Sequence, residues 1–545
     1  YKVRNTGNLF DVNNQQLVSY DVASGTRQVI DGTMGTGDSW YNYSAQQMSG
    51  AYIVGGRVVY MKYWQYGTAA ASKNRPFEIM AINPVGNIRS VVKTIAADGD
   101  NYGDAKMRRP NSVVFRRGTD TNQATDAIIT DSTYYEQYRP QFHFSPPEKW
   151  MNDPNGMVYY EGEYHLFYQY YPDSTVWGPM HWGHAVSIDL VHWAHLPIAL
   201  YPDSLGYIFS GSAVVDWNNT SGFGRDGQPP LIAIYTYHDP EGEKQSRIDY
   251  QHQAIAYSTD KGRTWTKYEK NPVIPNPGNL RDFRDPKVFW DEGSAQWVMT
   301  LAAYDHIRLY GSKDLKSWKH MSDWGLSYGE HDGVWECPDL FQLTVEGTNE
   351  KKWVLIQNLN PGAPNGGSGT QYFVGDFDGK KFTLDPAFEP LVKNGKALWL
   401  DYGRDNYAGV TWSDVPTSDG RRIFMGWMGN WQYAQQVPTN GWRSAMTLPC
   451  ELSLKQTSNG HRLFMNPVSE LNKLRTSTKQ IQSADIEGIV DMTKQINLSP
   501  SQMEIKFEFE WDRNTPADFG IQLSNSRGEL YRIGYDTGAK NIYSD

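Results

Sequence analysis

Hydrophobic and polar residues alternate in short runs along almost the whole chain, and Gly, Asp, Asn and Pro break the runs. Windows with helical spacing are nearly absent, so the pattern predicts an almost entirely β fold. Ala51-Tyr52-Ile53-Val54 and Arg57-Val58-Val59-Tyr60-Met61 flank Gly55-Gly56 and predict a hairpin. Met503, Ile505, Phe507, Phe509 and Trp511 alternate with polar residues, as a half-buried antiparallel strand does, and Phe519, Ile521 and Leu523 resume the rhythm after Asn514 and Pro516.

A weak internal repeat sharpens this picture. Ser187-Ile188-Asp189-Leu190 leads to Trp193, Ser258-Thr259-Asp260 to Trp265, and Ser312-Lys313-Asp314-Leu315 to Trp318. Gly375-Asp376-Phe377-Asp378-Gly379 and Trp412-Ser413-Asp414 read as degenerate members. Each unit follows a strand-like run and precedes a polar turn. Repeats of this size suit four-stranded propeller blades, which bury their faces only against neighbours. Five blades are expected over residues 138–455, with a β-rich domain before them (1–130) and a β-sandwich after them (456–545). Gly118 to Thr125 reads as a linker.

Composition narrows the partners. The chain has 545 residues, a formal net charge of −10 and a pI of about 5.7, which argues against nucleic acid. No run approaches the ~20 apolar residues of a membrane span. Cys337 and Cys450 are the only cysteines, too few for a disulfide framework or a zinc site. The 20 Trp and 35 Tyr suit both core packing and platforms for sugar faces. Trp40, Tyr41, Tyr43, Tyr63 and Trp64 give residues 1–130 the makings of a sugar-binding module or of a structural β domain. His181, His184, His192 and His195 cluster near Trp182 without the carboxylates of a metal site, so polar packing is expected and neither metal nor cofactor is called for.

Three acids stand in unusual settings. Trp150-Met151-Asn152-Asp153-Pro154-Asn155-Gly156 places Asp153 before a proline, which biases it away from helix, with an amide donor and an indole beside it. Arg281-Asp282-Phe283-Arg284-Asp285-Pro286 repeats the Asp-Pro step, and Arg284 is expected to keep Asp285 ionised. Trp335-Glu336-Cys337-Pro338-Asp339 sets Glu336 between apolar neighbours, which favours a retained proton. Taken singly, each acid also fits a solvated turn or a buried ion pair. If the first strand of each blade lines the axis, Asp153, Ser210, Asp285, Glu336 and Tyr402 converge on one funnel.

The stretches WMNDPNG (150–156), EYHLFYQYYP (163–172), FSGSAV (209–214), FRDPKV (283–288) and WECPDLF (335–341) together resemble glycoside hydrolase family 32, above all its bacterial levanase and inulinase group. The resemblance covers roughly residues 138–545. It implies a five-bladed propeller, a C-terminal β-sandwich and a retaining reaction on fructosides. By the same resemblance Asp153 is the nucleophile, Glu336 the general acid/base and Asp285 the transition-state stabiliser. Asn152, Gln169, Ser210 and Arg284 would meet fructose hydroxyls, and Trp150, Met151, Trp177, Phe209 and Trp427 would complete the substrate site. Hydrolysis of levan, inulin or sucrose is the leading expectation. A fructosyltransferase, including one that cyclises fructan chains, shares the triad and is the alternative, with the loops Tyr237–Tyr250 and Asn360–Gly369 shaping the acceptor side. The chain opens at Tyr1 rather than Met, as a processed product does, and its substrate class implies secretion or display on a bacterial cell surface. Linkage preference, exo or endo action and oligomeric state are not written in the pattern.

Overall fold

Five successive antiparallel sheets occupy the chain from Lys149 to Pro467. Their innermost strands are β1 (Lys149–Tyr160), β2 (Tyr207–Val215), β3 (Phe283–Asp291), β4 (Val334–Thr344) and β5 (Tyr407–Thr411). Each lies beside the next, and β5 lies beside β1, so the five close into a ring. Three further strands follow each inner strand outward in antiparallel order. The two-residue strand Trp442–Arg443 runs parallel to the start of β1 and ties the last sheet to the first. This is the architecture of a β-propeller. The computed structural model describes Tyr134, residues 136–483 and most of 485–545. Before Tyr134 it describes the backbone of eleven strands only.

The repeated turn is a structural unit in the first three sheets. Ser187, Ser258 and Ser312 end the third strands, and their hydroxyls meet Asp189, Asp260 and Asp314 at 3.3, 2.7 and 3.1 Å. Those carboxylates then accept backbone N–H groups of the turn. The indoles of Trp193, Trp265 and Trp318 donate back to Leu190, Gly262 and Leu315. Asp378 closes the equivalent turn of the fourth sheet by accepting from Lys380 and Lys381 N–H. Asp414 is not a member. It follows an inner strand and accepts from Val215 N–H and the Trp217 indole, a contact between sheets rather than within a turn.

The core lies between the sheets, with Trp150, Trp182, Trp335, Trp412 and Trp427 its largest fully buried side chains. Among the N-terminal strands, Tyr52–Val54 and Arg57–Tyr66 pair antiparallel with Ile53 opposite Val58, as the Gly55-Gly56 signal predicts. The expected linker at Gly118 to Thr125, and Trp40, Tyr41 and Tyr43, lie outside the described residues.

Residues 476–545 form a separate compact unit. Its sheet has three strands, Asp518–Ser524, Leu530–Asp536 and Asn541–Ser544. The alternating segment Met503 to Trp511 is not a strand, and Ile505 and Phe507 stand 43% exposed. Alternation assigns faces, but a strand also needs a hydrogen-bonding neighbour. Among the described residues, the three strands of that sheet pair only with one another.

Candidate active site

Every inner strand slips register next to its pocket residues, and β1 slips again between Asn155 and Val158. The slips beside the pocket fall between Met151 and Pro154, Ile208 and Gly211, Arg284 and Lys287, Glu336 and Asp339, and Tyr407 and Val410. A bulge frees residues from the ladder and re-aims their side chains. Three of the five carry a proline, Pro154, Pro286 and Pro338, which has no N–H to give a ladder. Asp285 and Cys337 adopt φ of +66° and +43°, further marks of the break. Gly156, at φ +51°, packs where a Cβ would stand 2.7 Å from the Phe167 ring.

The bulges deliver one pocket at the head of the ring. Asn152, Asp153, Phe209, Ser210, Arg284, Asp285, Glu336 and Tyr407 from the inner strands line it, with Gln169, Trp177 and Trp431 completing the wall. Asn152 donates to Asp153 Oδ1 at 2.9 Å, and Ser210 Oγ to Asp153 Oδ2 at 2.7 Å. The Cys337 N–H donates to Asp285 Oδ2 at 3.0 Å, and its thiol reaches Asp285 and Asp153 at 3.5 and 3.8 Å. Arg284 donates to Glu336 Oε1 from Nη2 and Nε at 2.9 and 3.2 Å, and Tyr407 OH donates to Oε2. Gln169 is buried and donates to the Ile208 carbonyl at 3.0 Å.

Electrostatics follows these contacts. Burial lifts the Asp153 carboxyl above the ordinary carboxylate range. Ser210 and Asn152 pull it down and nearby Glu336 pushes it further up. Burial pushes Asp285 up to about 7 against the pull of Arg284, with Glu336 and Asp153 adding to the rise. Arg284 does favour the ionised form of Asp285, as expected, but burial and the two other carboxyls oppose it. Arg284 spends its donors on Glu336 and on Asp282 at 2.6 Å and stands 4.0 Å from Asp285. Glu336 does not sit between apolar walls. Strand neighbours point to opposite faces, so the Trp335 indole is fully buried, bonded to the Glu330 carbonyl, while Glu336 meets Arg284 and Tyr407.

Of the expected aromatic walls, Trp177 and Phe209 reach the pocket. Trp150, Met151 and Trp427 are fully buried behind it. The Trp150 indole donates to Asn152 Oδ1 at 2.7 Å and so orients the amide that holds Asp153. Tyr402 is 59% exposed and outside the pocket, and Tyr407 takes the position expected of it. Trp431 also escaped sequence reading, because it stands on a loop with no period to mark it. The four histidines form no common site. His184 pairs with His165 at 3.1 Å, His192 with Asp189, His195 with Tyr168 and Tyr134, and His181 with the Pro179 carbonyl. Among the described residues no group of His, Cys, Asp and Glu is placed to hold a metal ion, and no helix is long and apolar enough to cross a membrane.

A ring of sheets with three carboxyls and a guanidinium at its head is the architecture of a glycosidase propeller. The chain belongs to glycosyl hydrolases family 32: residues 143–467 match the family's N-terminal domain and residues 470–545 its C-terminal domain. It is 53% identical over 424 residues to a levanase of Bacillus subtilis (strain 168), covering 77% of this chain and 60% of that one. It is 47% identical over 438 residues to an extracellular exo-inulinase of Aspergillus niger, covering 76% of this chain and 80% of that one. The fold is similar to the crystal structure of exo-inulinase from Aspergillus awamori, with a TM-score of 0.64 and 37% identity over 76% of this chain and 83% of that chain. A fructofuranosidase from Schwanniomyces occidentalis complexed with fructose gives 0.60 and 36% over 76% and 81%.

Proposed function

We propose that this chain is a retaining β-fructofuranosidase that releases fructose from levan or inulin, and from sucrose, through a covalent fructosyl-enzyme. The observation that carries the reading is the meeting of Asp153, Asp285 and Glu336, from three different sheets, in one pocket of a family 32 propeller. Asp153, held by a donor on each oxygen, attacks the anomeric carbon as the bond to the leaving oxygen breaks. Glu336 gives that oxygen its proton. Water then attacks the same carbon, Glu336 takes its proton, and Asp153 is released. Asp285 supports the oxocarbenium-like transition state and accepts hydrogen bonds from sugar hydroxyls. Arg284 neutralises one of the three carboxyls. An extracellular site of action belongs to the same proposal and is supported by the likeness to extracellular exo-inulinases of Aspergillus.

The test is product analysis on levan, inulin and sucrose, with the anomeric form of the first fructose followed by NMR. Release of fructose with retained configuration is the expected result. Asp153→Asn lowers turnover by about 10⁴-fold without unfolding the protein. Inverted product, or near-normal turnover by the folded variant, overturns the mechanism. Transfer products in place of free fructose overturn the hydrolytic assignment.

A further inference from the structure

A second cleft opens at the other end of the inner strands. Its floor is Tyr160, the last residue of β1, and Leu231, both buried. Its volume is about 270 Å³, just below the ~300–1,000 Å³ of most ligand pockets. Asp153 and Tyr160 lie on the same strand, and at ~3.3 Å per residue the cleft is roughly 23 Å from the catalytic pocket. Gln228 and Thr259, both exposed, line it with an amide and a hydroxyl side chain. Lys261 and Glu161 form an ion pair at its rim.

Trp217 does not line the cleft itself but packs against its floor residue Tyr160, ring centroids 5.8 Å apart and tilted 52°, and is 58% exposed. Its indole N–H donates to Asp414 Oδ1 at 2.8 Å. An exposed tryptophan that is fixed by its polar edge presents a preset flat face, and little rotamer freedom remains to be lost on binding. Amide and hydroxyl groups beside an apolar floor suit an uncharged, hydroxyl-rich ligand. The Lys261–Glu161 pair leaves no net charge to select an ion.

We propose that this cleft, with Trp217, is a second binding site for a segment of fructan chain. It would hold the polymer to the enzyme while chain ends are processed at the opposite face. The proposal rests on the fructan-hydrolase reading. It adds a site that contributes nothing to bond cleavage.

The experiment uses the full chain carrying Asp153→Asn, run in native gels containing levan or inulin. Excess free fructose blocks the catalytic pocket. Retardation by at least one polymer is expected to persist under fructose. Trp217→Ala should weaken it at least fivefold, and so should Gln228→Ala combined with Thr259→Val. Trp217→Phe, which loses the N–H but keeps a ring, should retain most of the binding. In the active background, Trp217→Ala should leave kcat/KM for sucrose within twofold. Retardation unchanged in both the Trp217→Ala and the Gln228→Ala/Thr259→Val proteins overturns the proposal. If Trp217→Ala does not fold, the double variant decides alone. Failure of the hydrolase reading is visible separately, as absence of fructose release by the unsubstituted enzyme.

Discussion

Glu336 accepts from Arg284 on one oxygen and from Tyr407 on the other, and its charge bears on Asp153 across the pocket. Glu336→Gln removes both the proton donor and that negative neighbour. Turnover of sucrose should fall by about 10²–10⁴-fold, the usual range for a lost general acid. An activated aryl fructoside needs no proton for its leaving group and should lose far less in its first step. On that substrate the acid limb of kcat/KM, which reports ionisation of Asp153, should move to lower pH. The sign follows from the Coulomb effect: a neutral amide no longer raises the Asp153 carboxyl. Equal losses on the two substrates, or an acid limb that does not move, would contradict these roles. At this scale the acids were legible in sequence because Asp-Pro and Cys-Pro steps mark them. Their partners were not. Arg284 precedes Asp285 in the chain yet pairs with Glu336, since a bulge turns adjacent residues in different directions.

Each inner strand combines a regular ladder with a slip beside the pocket, and β1 slips a second time between Asn155 and Val158. Between the first two sheets lies an element with its own pH response. His165 and His184, from adjacent strands of the first sheet, are buried and hydrogen-bonded to each other at 3.1 Å. Burial depresses both, His165 to about 3. In the unfolded chain both take up protons near 6.5. The stability they contribute is therefore complete above about pH 6.5 and is lost as pH falls toward about 3. Per histidine, the loss between pH 7 and 4.5 is at most ~2.7 kcal/mol. His184→Gln should accordingly flatten the decline in unfolding free energy over that interval, measured by urea titration at several pH values. A slope identical to that of the unsubstituted protein would rule out the pair as the acid-sensitive element. The Ser-Asp-Trp turns were visible in sequence because each is closed by its own residues. Asp414 mimicked one and instead bonds Val215 and Trp217 of another sheet.

At the scale of the molecule, the ring needs no residue before Tyr134 to close, since Trp442–Arg443 pairs with β1 itself. The segment from Tyr134 is anchored to the ring. Tyr134 OH donates to the Ser145 carbonyl, and the Arg139 guanidinium lies 3.9 Å above the Trp442 ring. Residues 1–130 match neither family domain. Their deletion should leave a soluble enzyme with kcat/KM for sucrose within about twofold and weaker action on polymer, measured by initial rates on sucrose and levan. Unchanged action on polymer by the soluble, active truncation would leave those residues a spacer role.

By itself the sequence determined the β class and the strand-breaking prolines, because alternation and Pro-containing steps are local properties of the chain. The propeller and the grouping of the three acids were expected from a weak repeat together with the resemblance to family 32. Sequence determined less where an outcome depends on residues far apart. Met503 to Trp511 alternate as a strand does, yet hydrogen-bonding neighbours decide whether one forms. Trp150 and Trp427 read as sugar platforms and Trp431 as nothing in particular; packing buried the first two and left Trp431 on the pocket wall. Asp285 read as an ionised acid beside an arginine. Its proton affinity was decided by burial, by two carboxyls from other sheets and by an arginine drawn to one of them, and those distances exist only once the ring has closed.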